Sequence, residues 1–118
     1  MDLVQEKCVP CRGGEPALRP EQIKEYLAEA PEWALVKRDG VDTLERTFRF
    51  RDFAGALAFT AMVGAEAEAE GHHPSLLTEW GRVKVTWWTH KIKGLHRNDF
   101  IMAARTNRLF AEASAAVP

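Results

Sequence analysis

A chain of 118 residues is long enough to enclose one hydrophobic core. Its 16 Lys and Arg against 17 Asp and Glu leave a net charge of −1, which excludes the basic footprint of a nucleic-acid binder or of a protein drawn to an anionic membrane. No run reaches membrane-spanning length and the first residues lack a basic-then-apolar secretion pattern, so a cytoplasmic protein is expected.

Residues 1–19 contain Pro10, Gly13, Gly14 and Pro16 with no hydrophobic period, and predict an irregular arm ahead of a folded domain over 20–118. Cys8 and Cys11 form one C-x-x-C without a second pair, which is half of a zinc ribbon. The strand and helix that flank a redox C-x-x-C are missing too, so a flexible or surface-packed segment is expected. Pro20 suits a first helical turn; Ile23, Tyr26, Leu27 and Ala30 recur at helical spacing, and Pro31 ends the run.

A short strand over 33–36 is followed by a turn at Arg38-Asp39-Gly40, a good hairpin signal, and by a second strand over about 42–50. Leu44, Phe48 and Phe50 share one face of that strand. Asp52 can cap the next helix, with Phe53, Ala56, Leu57, Thr60, Val63, Gly64 and Ala67 as its buried stripe and Gly71 just past its end. Two alternating runs follow, about 76–80 and 82–90, joined at Trp80-Gly81. In the second, Val83, Val85, Trp87 and Thr89 should meet the helices, while Arg82, Lys84, Thr86, Trp88 and His90 take the open face. The large indole of Trp88 among polar neighbours suggests a surface that meets a ligand or another subunit. A last helix begins near 97–99, with Met102, Ala103, Thr106, Leu109, Phe110 and Ala113 as its stripe. The order α-β-β-α-β-β-α, with hairpin-joined strands, predicts a single α+β domain: a four-stranded antiparallel sheet with three helices on one face.

All four histidines fall between Glu68 and Asp99. His72 and His73 follow the end of a helix, and Pro74 pushes His73 towards extended geometry. If the third and fourth strands pair as a hairpin, His90 returns beside them. Three imidazoles at one sheet edge can both take and give protons near neutral pH. A shared metal does not fit, because adjacent residues in extended backbone point to opposite sides and no H-E-x-x-H helix is present. Ser75 lacks a nucleophile-elbow context, and no glycine-rich phosphate loop occurs. His96, after Gly94, reads as an ordinary surface histidine. What is left is a cofactor-free acid–base site suited to adding or removing water.

At these residues the sequence resembles the pterin-4a-carbinolamine dehydratases (4a-hydroxytetrahydrobiopterin dehydratases). The family pattern is an acidic residue, three positions, His-His-Pro, an aromatic after a short gap, a later His and then Asp. Here it is met by Glu68, His72-His73-Pro74, Trp80, His90 and Asp99. The likeness extends to Trp33, to Phe48-Arg49-Phe50-Arg51-Asp52-Phe53 and to Gly94-Leu95, covering roughly 20–110. Gly71, Leu76 and Asn98 differ from what familiar animal members carry.

The resemblance implies the same α+β fold and the dehydration of a 4a-hydroxy-tetrahydropterin to a quinonoid dihydropterin, without a cofactor. Its substrate would come from an aromatic amino acid hydroxylase, in tetrahydropterin recycling. It implies His72 and His90 as acid and base in either order, and His73 as a residue that binds and orients the pterin. Pro74, Asp99, Glu68 and Trp80 are the other candidate substrate-binding residues. A homodimer or homotetramer is implied as well. Some animal members also serve as dimerisation partners of a transcription factor, and some relatives are linked to molybdopterin-type pterins.

Overall fold

The computed structural model of the protein describes residues 3–9 and 16–115, so Cys11, with Pro10, Gly13 and Gly14, lies outside the described residues. Helix α1 (Pro20–Ala28) leads into a hairpin of β1 (Ala34–Arg38) and β2 (Val41–Arg49). Helix α2 (Phe53–Glu70) follows, then the hairpin of β3 (Ser75–Glu79) and β4 (Arg82–Trp87), then α3 (Arg97–Ala115). The two hairpins join through their second strands to give the sheet order β1-β2-β4-β3, antiparallel throughout. This is the α+β arrangement expected from the pattern.

Local chemistry accounts for the main boundaries. Asp39 and Gly40 turn the first hairpin with φ of 51° and 80°, a left-handed pair that Asp-Gly tolerates best. Asp52 caps α2 by accepting a 2.8 Å hydrogen bond from the Gly55 N–H, a cap worth about 1 kcal/mol. Gly71 ends the same helix at φ 64°, the left-handed position where a side chain would be strained.

Sheet and helices meet over one core. Leu44 pairs with Trp87 and Phe48 with Val83 across β2 and β4, and all four are buried, as is Val85. Phe48 lies 4.9 Å, ring centre to ring centre, from both Phe59 of α2 and Phe110 of α3. The Trp87 indole N–H reaches Thr106 Oγ1 at 3.1 Å, so burying this ring leaves no donor unsatisfied.

Three expectations need correction. The buried face of α2 is Ala56, Phe59, Val63 and Ala67, whereas Phe53 and Leu57 are about half exposed and Thr60 and Gly64 are half-buried. This helix is apolar on most sides, so periodicity could not orient it. The fourth strand stops at Trp87, and His90 opens a short 3-10 turn, His90–Ile92. The ladder gives way there because the Thr89 N–H bonds the Gly94 carbonyl at 2.9 Å instead of a strand partner. Trp88 is half-buried rather than bare: its ring stacks on His90 at 4.3 Å and 20°.

Candidate active site

The end of α2 and the start of β3 present His72 and His73 in succession. Gly71 reverses the chain, the His72 N–H bonds the Ala67 carbonyl at 3.1 Å, and Pro74 commits the chain to the strand that begins at Ser75. From this short extended link the two imidazoles diverge, as alternation requires.

His72 turns inward. It is 9% exposed, its ring lies parallel to that of Trp87 (5.8 Å, 9°), and its Nε2 is 2.6 Å from Asp99 Oδ1. Asp99, in the first turn of α3, is fully buried. Its other oxygen, Oδ2, accepts from Thr89 Oγ1 at 2.8 Å and from the His96 N–H at 2.9 Å. With Thr89 and the His96 N–H donating to Oδ2, Oδ1 is left to Nε2 of His72, which holds the ring in one orientation. Asp99 also reaches back to the residue that precedes α3, one half of a capping box, which ties the site to the helix start. His96 completes that cap, since its Nδ1 accepts from the Asn98 N–H at 3.0 Å.

His73 turns outward, where Nε2 meets Glu68 Oε1 at 2.6 Å in an exposed pair. Such a pair contributes about 0–1 kcal/mol and yields easily to a ligand. His90 is exposed in its 3-10 turn, backed by Trp88. Nevertheless all three imidazoles line one cavity of about 490 Å³, a size that suits a two-ring heterocycle.

The other residues singled out in the sequence divide. Asp99 sits behind His72 rather than on the cavity wall, so its contact is with the histidine. Pro74 and Glu68 flank the cavity without lining it. Trp80 is 73% exposed in the β3–β4 turn, at the opposite end of the hairpin from the histidines, and this chain does not bring it to them. Sequence reasoning missed Cys8, Val9, Glu70, Thr89, Lys91 and Asn98, which share the cavity. Cys8 and Asn98 stand out in the sequence, but for a C-x-x-C and a departure from the family pattern; Glu70 lies four residues from Glu66 on one helical face, and both approach Arg105, at 3.7 and 3.5 Å. Burial, and then the neighbouring Glu70 carboxylate, push the Cys8 thiol up to about 12, so it stays neutral and is a poor nucleophile. Among the described residues, no three His, Cys, Asp or Glu side chains are grouped to hold a metal ion, and no helix is long and apolar enough to cross a membrane.

Residues 16–109 match the family model described as pterin 4 alpha carbinolamine dehydratase. A relative in Gloeobacter violaceus, provisionally named pterin-4-alpha-carbinolamine dehydratase 1, is 54% identical over 115 residues, 98% of this chain and 99% of its own. A crystal structure described as a transcriptional coactivator/pterin dehydratase from Brucella melitensis superposes with a TM-score of 0.71 at 33% identity, over 79% of this chain and 97% of that one. A pterin dehydratase-like protein identified as a RuBisCO assembly factor in the alpha-carboxysome shares the fold, with a TM-score of 0.56 at 23% identity over 66% of this chain and 88% of that one. With most of the chain inside the family model and a close relative matching nearly end to end, the chain belongs to the pterin-4a-carbinolamine dehydratase family and is a dehydratase, a hydro-lyase.

Proposed function

We propose that the protein dehydrates a 4a-hydroxy-tetrahydropterin by histidine acid–base catalysis. The reaction breaks the bond from the 4a carbon to its hydroxyl, removes the proton from the adjacent ring nitrogen, and forms a carbon–nitrogen double bond; the products are quinonoid dihydropterin and water. One imidazole takes the nitrogen proton and another protonates the departing hydroxyl, which leaves poorly as hydroxide. His72 and His90 carry these two transfers, with Asp99 fixing the ring of His72. His73, exposed and loosely paired, binds and orients the pterin. The observation that carries this reading is the convergence of three imidazoles on one cavity, one of them held from behind by a buried carboxylate.

The deciding experiment follows 4a-hydroxy-tetrahydropterin, generated in place, as it disappears with and without the protein. Acceleration above the uncatalysed rate is expected, and a rate equal to background contradicts the proposal. In the cell the product would pass to a reductase and the substrate would come from an aromatic amino acid hydroxylase, a recycling role. The open sheet face, where Leu77 is 48% exposed, supports assembly as a homodimer or homotetramer. Light scattering checks this, with a monomer as the contrary result.

A further inference from the structure

The segment Leu3–Val9 lies outside the stretch that the family model matches, 16–109, yet it is bound to the elements that build the site. Leu3 is buried in the core at 4% exposure. Glu6 takes two hydrogen bonds from Arg97, at 2.9 and 2.5 Å, and its carbonyl accepts from Arg105 at 2.7 Å. The Cys8 N–H bonds Glu70 Oε1 at 2.9 Å. Asn98 then grips Val9 from both sides: its Oδ1 accepts from the Val9 N–H at 3.0 Å and its Nδ2 donates to the Val9 carbonyl at 2.8 Å. The amide thereby imitates one rung of a strand ladder, and neither a lysine nor an arginine could supply the acceptor. Asn98 is itself buried and stands next to Asp99, so consecutive residues of α3 hold the segment and His72. Cys8 and Val9 line the same cavity as His72, His73 and His90.

We infer that Cys8 and Val9 contact the substrate, forming an uncharged wall that the N-terminal segment adds to the site. Resting on the dehydratase reading above, the inference gives this wall the task of holding the flat faces of a pterin ring by apolar contact, apart from proton transfer. Neither side chain is suited to exchange protons: one is an isopropyl group, the other a thiol that burial keeps neutral. Their contribution therefore belongs in affinity, and Asn98 positions them.

Steady-state kinetics of Val9→Ala, Cys8→Ala and Asn98→Ala on the 4a-hydroxy-tetrahydropterin test the wall, beside binding of 7,8-dihydrobiopterin followed by tryptophan fluorescence. Each variant should raise KM and the dihydrobiopterin Kd by about threefold to tenfold with kcat within about twofold. Val9 is 56% exposed, so its truncation leaves folding intact even if Asn98→Ala weakens the fold. Unchanged KM and Kd in Val9→Ala and Cys8→Ala overturn the inference, as does a fall in kcat with KM constant. Wild-type protein that binds dihydrobiopterin without turning over the carbinolamine contradicts the dehydratase reading alone, and the Kd values then decide on the wall.

Discussion

His72 and His73 are neighbours in sequence, and each has a carboxylate 2.6 Å from its Nε2, yet their surroundings differ in every other respect. The His72–Asp99 pair is 10% and 0% exposed by side chain, and its carboxylate is filled by two further donors. The His73–Glu68 pair is 60% and 80% exposed. An interaction of the same length is therefore a rigid part of the fold in one case and a solvent-screened contact in the other. Local dielectric and the number of bonds each carboxylate makes separate the two, since water screens the outer pair and competes for its hydrogen bonds. Burial holds one ring in a single orientation. Exposure leaves the other free to leave its partner and meet a ligand.

The largest expected effect comes from removing the inner ring. His72→Ala should lower kcat on the order of 10²- to 10⁴-fold, and His90→Ala should fall in the same class; near-native turnover in both variants contradicts the assignment. Next comes Asp99→Asn, which preserves shape but replaces one acceptor with an amide donor facing a donor. It should cost about 1–3 kcal/mol of stability and lower kcat, with thermal unfolding and turnover as the measurements. A variant with the wild-type Tm would show that the buried carboxylate is not locked by its three donors. The outer pair should answer differently: His73→Ala should raise KM more than it lowers kcat, while Glu68→Gln should leave Tm unchanged.

The smallest effect concerns the thiol. Because burial raises the Cys8 pKa in the fold to about 12, the stability it contributes is fully present below the ordinary thiol range, near 8.5. It is lost as pH climbs from there towards 12. Wild-type protein should lose Tm faster than Cys8→Ala between about pH 9 and 11, the other alkaline groups being common to both. Parallel curves contradict the raised thiol pKa.

The fold was legible because its punctuation is local. Asp39-Gly40, Asp52 and Gly71 each sit where one backbone geometry suits one residue type, and alternation in β4 sorted Val83, Val85 and Trp87 from Arg82 and Lys84, although Thr86, expected on the open face, is buried. The histidine cluster was legible for the same reason, since a hairpin returns His90 to the start of β3 whatever its side chains do. What escaped depends on contacts between distant parts of the chain. Phe59 could not be preferred to Leu57 in a helix apolar on most sides. The end of β4 was missed because alternation continues through Thr89 while its N–H goes to Gly94. The arm showed no period because side chains of Asn98, Glu70 and Arg97 hold it, not a ladder of its own. Trp80 matched the family spacing, yet the hairpin read from the sequence already put it at the turn, the end away from the histidines.

The role given to His72 is tested most directly by the pH dependence of kcat, measured on the 4a-hydroxy-tetrahydropterin for wild type and His72→Ala side by side. Proton transfer through this imidazole predicts a rate that changes with pH in the wild type and loses one limb of that dependence, together with most of its magnitude, in the variant. Superimposable profiles of equal height would contradict it.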